Sequence, residues 1–212
     1  MIQSLAALPG SMNMLDRVFR VRRNHVLTLT AWLALIWTAL MPLTGAGLAK
    51  QPQTAAGLKL PQTIAGFKKG GVHDFESEHP GLGIGVEYVR SGWIANIFIY
   101  DFGIKNIPSG AESGPVTDQI HRALNDVKQV GYKNVQIKQD YFVLSSSGAP
   151  IARCIFIDLV RKDVGRSDSF LCLTAHASKF IKVRLSTAKS GASKRIADQF
   201  VHHLASALTA SR

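Results

Sequence analysis

Cys154 and Cys172 are the chain's two cysteines. They fall in two apolar runs, Ile151 to Val160 and Phe170 to Ala175, on either side of the polar stretch 162–168. In an oxidising compartment this pair can close a disulfide. Two buried free thiols are the other reading, because cysteine often serves as a small core residue. Neither lies in an exposed electropositive turn of the kind that favours a thiolate, so a catalytic cysteine is not indicated. His73, Asp74, Glu76 and His79 supply nitrogen and oxygen donors suited to a divalent metal. Their spacing follows no standard ligand pattern, and a solvated strand end and turn accounts for them, so no metal is expected. His202 and His203 are helix neighbours pointing about 100° apart and do not converge on one ion. His121 and His176 are solitary.

The remaining small-residue motifs are weak. Gly83-Ile84-Gly85 is not followed by the helix that a dinucleotide loop needs. Those glycines instead suggest room for a packed helix or a ligand on one strand face. Ser145-Ser146-Ser147-Gly148 is expected to be a turn. Ser190-Gly191-Ala192-Ser193 has the composition of an anion nest, although helix capping also explains it. There is no Walker A loop, nucleophile elbow, HExxH or calcium loop. No catalytic constellation and no cofactor are expected.

A basic sheet face is the binding candidate. Lys182 and Arg184 alternate with Ile181, Val183 and Leu185, and Lys138 follows Ile137 in the same manner. If the apolar sides face the helices, Lys138, Lys182 and Arg184 lie together on an open side of the sheet. Such a face would attract an acidic envelope component, such as anionic lipid headgroups, a polymer or an acidic protein. Ordinary solubilising charge is the competing reading. Nucleic acid is not expected, since no aromatic-interleaved basic motif occurs and the compartment is wrong.

The compartment follows from the N-terminus. Arg17, Arg20, Arg22 and Arg23 precede an uncharged apolar run from Val26 to Met41; Pro42 and Gly45 break it, and Gly47-Leu48-Ala49 closes it. Basic, apolar and small-x-small parts in that order make a secretory signal, with cleavage expected after Ala49. Uncleaved, the 24 uncharged residues 26–49 would span a bilayer as the chain's one membrane contact, leaving the C-terminal domain outside the cytoplasm. Met12 or Met14 makes a better start for such a signal than Met1. Residues 1–49 are therefore a signal peptide or anchor, 50–60 a flexible leader, and 61–212 a single domain. The chain carries 25 Lys+Arg against 14 Asp+Glu, a net charge of +11. Its exported part is long enough to bury one real core.

The elements that must position these residues can be followed along the domain. Val72 to Phe75 starts a strand, and Leu82 to Tyr88 alternates with period two. Ser91-Gly92 forms a hairpin turn that sets Val86 opposite Ile97 and Ile84 opposite Ile99. Trp93 to Phe102 is apolar on both faces, as a central strand should be. Thr117 could cap a helix in which Ile120, Leu124, Val127 and Val130 recur at helical spacing up to Gly131. Strands follow over 135–144 and 151–160, then a hairpin of 170–175 with 180–187 around Ala177-Ser178. A last helix over 192–209 carries Ile196, Phe200, Leu204 and Leu208. The expected fold is α+β: an antiparallel sheet of about six strands, with a mid-chain and a C-terminal helix packed on it, preceded by an N-terminal hydrophobic helix.

This element order over residues 61–209 resembles the photosystem II extrinsic protein P fold, in topology only and with no ligand motif. The stretch Leu60-Pro61-Gln62-Thr63-Ile64-Ala65-Gly66-Phe67, together with His79-Pro80-Gly81-Leu82-Gly83, resembles the start of uncharacterised exported bacterial proteins, a likeness that implies no activity. The expectation is an exported, non-enzymatic envelope domain, periplasmic or secreted, that binds a partner or small ligand. The alternatives are a membrane-anchored structural protein and a hydrolase without a recognisable motif.

Overall fold

The computed structural model describes residues 54–55 and 57–210. The expected signal or anchor over 1–49, its cleavage at Ala49 and the N-terminal hydrophobic helix lie outside them. Gln53–Arg212 makes one unit. Its elements are β1 (Thr54–Ala55), β2 (Leu58–Lys59), β3 (Thr63–Ile64), β4 (Phe67–Asp74), β5 (Ile84–Arg90), β6 (Trp93–Tyr100), α1 (Gly114–Gln129), β7 (Lys133–Leu144), β8 (Pro150–Arg161), β9 (Gly165–His176), β10 (Lys179–Ala188) and α2 (Ser193–Thr209). Strands β3 to β10 form one antiparallel sheet in the order β3-β4-β5-β6-β10-β9-β8-β7. The fold is α+β with eight strands in that sheet, two more than expected. No helix among the described residues is long and apolar enough to cross a membrane.

Turn chemistry sets the registers. Ser91-Gly92 joins β5 to β6, with Gly92 at φ +72°, and Val86 pairs with Ile97 and Ile84 with Ile99, as the sequence predicts. Ala177 and Ser178 both have φ near +50° in the two-residue turn between β9 and β10, the left-handed pair that such hairpins require. Pro115 starts α1 just after Ser113, earlier than the expected Thr117 cap, because proline suits the first helical turn.

Both faces of the sheet are covered, each by one helix. Along β9, Phe170 and Cys172 belong to a core with Phe200, Val201 and Leu204 of α2, whereas Leu171 and Leu173 belong to a second core with Ile120, Leu124 and Val127 of α1. Alternation along a strand places these two sets on opposite faces. Phe200 anchors the α2 side, edge-on to Phe67 and Tyr88 at centroid distances of 4.9 and 5.9 Å. The β8–β9 hairpin turns at 162–164, so Cys154 faces Cys172 and the two form a disulfide with Cα atoms 4.1 Å apart. The bridge is buried in the α2-side core.

Candidate anion site on the α1 face of the sheet

The placement of the two helices corrects the expected basic face. There is no bare side on which Lys138, Lys182 and Arg184 could assemble. Lys182 and Arg184 do lie together, two residues apart on β10, but on the face that α1 covers. Lys182 is half-buried and Arg184 is buried. Lys138 sits where the β7–β8 register slips between Ile137 and Gln139. A bulge turns its side chain away from strand alternation. It bonds Gln136 and borders an open basin of about 370 Å³ with Phe156, Lys189 and Lys194, on the α2 side.

The neighbours of Lys182 and Arg184 come from the strand register. Asn96 of β6 pairs with Arg184, and Phe98 pairs with Lys182. Asn96 is buried and is the one amide in an otherwise apolar and aromatic strand. Lys182 Nζ stands 4.7 Å from the Phe98 ring centre and 5.5 Å from that of Tyr100. The Arg184 guanidinium lies 5.0 Å from the ring of Tyr132, in the segment leaving α1. Tyr100 is buried and accepts a 3.0 Å hydrogen bond from the Gln119 amide of α1. Aromatic faces attract cations, so these rings give partial compensation for lost hydration.

They do not give full compensation. Among the described residues, neither Lys182 nor Arg184 has a carboxylate within ion-pair distance, and Arg184 Nη1 is buried without a hydrogen-bond partner. Burying a cation without a counter-charge is costly. Burial accordingly pulls the Lys182 ammonium down to about 8; the Asp126 charge on α1 opposes this and the Arg184 charge adds to it. Burial also lowers Arg184, with Tyr132 opposing and Arg161 adding. Burial raises the Tyr100 phenol well above its ordinary value.

The sign of the Lys182 shift yields a prediction. Between about pH 8 and the ordinary lysine value of 10.5 the unfolded chain binds more protons at this site than the folded one, so stability from this group rises with pH across that window. Lys182→Met should therefore stabilise the fold by about 1 kcal/mol at neutral pH and flatten the rise. Urea unfolding at several pH values measures both.

The basin by α2 differs in its charge balance. Lys189 pairs with Asp158, Lys194 pairs with Asp198 at 2.7 Å, and the buried Asp168 accepts a bond from the Ser190 amide. The Ser190–Ser193 stretch thus already holds a carboxylate of its own chain. Lys189 and Lys194 there each pair with an acid; Lys182 and Arg184 have none within ion-pair distance among the described residues.

The other expected features resolve into turn structure. Glu76 accepts bonds from the Gly81 and Gly83 amides, the latter at 2.7 Å, and Asp74 accepts one from Ser77. His73 packs on Phe75 with ring centres 4.1 Å apart. Among the described residues no group of three or more His, Cys, Asp or Glu side chains gathers to hold a metal. The glycines of this region leave no ligand space. A Cβ on Gly85 would stand 3.0 Å from the Phe75 ring, and one on Gly83 would meet the Ile99 carbonyl oxygen.

Asn96, Phe98, Tyr100 and Tyr132 were not anticipated in the site. A lone amide in an apolar central strand is the sequence signal that points to Asn96.

No family model matches the chain, and no curated protein matches it. Among solved structures it is similar to the solution structure of cyanobacterial PsbP (CyanoP) from Synechocystis sp. PCC 6803, with 15% identity and a TM-score of 0.39, over 70% of this chain and 92% of that one. That structure bears the family name whose topology the element order resembles.

Proposed function

We propose that this chain is an exported envelope domain that binds an anionic ligand or partner through Lys182 and Arg184. One observation supports the reading: two cations drawn into an aromatic-lined part of the sheet with, among the described residues, no carboxylate within ion-pair distance. A fold keeps such groups at a cost in stability, and cost of this kind concentrates where a ligand supplies the missing charge. Export is supported by the basic, apolar and small-residue order before Lys50 and by the buried disulfide, which suits an oxidising compartment.

The test is a binding panel of polyphosphate, dodecanoate and phosphatidylglycerol vesicles, measured by calorimetry. At least one should bind the native chain, and Lys182→Glu with Arg184→Glu should weaken it by about tenfold or more, a difference of about 1.4 kcal/mol. Lys138→Gln should leave that affinity unchanged. Equal affinity in the double variant, or equal loss in the Lys138 variant, would overturn the reading.

A further inference from the structure

The surroundings of the two cations narrow the kind of anion. A hydrated polyanion is best met by many exposed lysines, which keep their own hydration. Here the cations number two, and aromatic rings flank both. Seating a multivalent, strongly hydrated group against such walls would strip water from more charge than two cations can match. A single negative charge attached to apolar material avoids that cost.

An apolar surface continues from the Lys182 end of the cation pair. Phe102 meets the Tyr100 ring edge-on at a centroid distance of 4.8 Å, and Tyr100 is one of the two rings beneath Lys182. Phe102 is 47% exposed, and its backbone stands at φ +54°, a conformation uncommon for a bulky residue. The turn holding it is well bonded: its own amide donates to the Gly81 carbonyl at 2.7 Å, and the Gly103 amide donates to Asp101 at 2.8 Å. The chain thus displays a phenyl ring to solvent, in an unfavourable backbone conformation, with the Tyr100 ring between it and Lys182. Phe98, under Lys182, is half-buried and extends the same apolar surface.

We propose that the ligand is a single-chain amphiphile with a carboxylate head, seated between Lys182 and Arg184, and an apolar tail lying over Phe98 and Phe102. This rests on the anion-binding reading above and names its ligand class. The head supplies the acceptor that Arg184 Nη1 lacks, and Asn96, next to Arg184 across the strands, offers an amide donor. The tail takes Phe102 out of water.

The experiment is calorimetry of the full chain with dodecanoate below its micellar concentration. Acetate provides the head without the tail, and dodecyltrimethylammonium the same tail with the opposite charge. Dodecanoate should bind at one saturable site, at least about a hundredfold more tightly than acetate, because a dodecyl tail buries many methylenes. The cationic amphiphile should not compete. Lys182→Gln and Phe102→Ser should each weaken dodecanoate by about tenfold. Phe102 is exposed, so its replacement leaves the core intact, and an unchanged far-ultraviolet spectrum confirms folding in both variants. Equal affinity for the cationic amphiphile, or full affinity in the Phe102 variant, would overturn the proposal. Polyphosphate or vesicle binding that depends on Lys182, without dodecanoate binding, would overturn it while leaving the anion site in place. No binding of any anion would remove both.

Discussion

Gly83→Ala should lower stability by about 3 kcal/mol or more and shift the urea midpoint accordingly. Gly83 has φ +62°, and a Cβ built there would stand 1.8 Å from the Ile99 carbonyl oxygen and 2.8 Å from its carbon. The obstacle is backbone in the middle of the sheet, so no side-chain rotation relieves it. The same residue holds the loop before β5 together. Its carbonyl accepts bonds from the Phe75 and Glu76 amides at 2.9 and 2.8 Å, and its amide donates to Glu76. Moving it to make room breaks that set at once. Gly92→Ala is the control: its φ is +72°, but nothing lies within 4 Å of a Cβ there. It should cost about 1 kcal/mol, the backbone penalty alone. Equal losses in the two variants would mean that the close approach at Ile99 does not exist.

Removal of the disulfide should be nearly as large in effect. Cys154 and Cys172 are 18 residues apart in sequence. In the chain-entropy account, closing a loop of that size stabilises by about 3 kcal/mol. The bridge lies in the α2-side core, so Cys154→Ala with Cys172→Ala also removes two buried sulfurs. Urea unfolding of the native and doubly substituted chains, with and without reductant, should show a loss of about 3 kcal/mol in the variant and in the reduced native protein. Reductant should leave the variant unchanged. A native chain indifferent to reductant would contradict the bridge or its role in stability.

The parts of this fold that were legible in the sequence share one property: a short turn of recognisable chemistry joins two alternating runs. Ser91-Gly92 and Ala177-Ser178 each fix a hairpin, and the pairs around them follow residue by residue. The β8–β9 hairpin escaped because Lys162 to Asp168, Val164 and Gly165 apart, is polar and resembles a loop. In fact Gly165 to Asp168 belong to β9, with Asp168 and Ser167 buried. That misjudged boundary left the cysteine register open. Of strand β4 only Val72 to Asp74 is legible, for another reason. Lys68, Lys69, Gly70 and Gly71 erase the alternation, and a register shift between Lys69 and Val72 breaks what remains.

The covering of both sheet faces is itself legible in the sequence. Ile155 to Val160 and Phe170 to Ala175 are apolar at nearly every position, the mark of strands covered on both faces. A sheet covered on both faces cannot offer a bare basic side. Applied to β10, that inference places Lys182 and Arg184 inside the layered structure, where their lack of acidic partners becomes informative. Tyr132 could not have been found this way, because its approach to Arg184 depends on how α1 ends and the chain returns into β7.

The most direct test of the central claim is the titration of Lys182 itself, followed by nuclear magnetic resonance of its ε-carbon with and without an added anion. The charged groups that face it are Asp126 on α1 and Arg184 on its own strand. In the free protein the midpoint should lie at about 8. Saturation with dodecanoate, or with polyphosphate, should move it upward, because an anion that binds the charged form holds its proton. A midpoint near the ordinary lysine value of 10.5 in the free protein, or one that no anion moves, would contradict the account of a cation pair without an ion-paired carboxylate, awaiting its counter-charge.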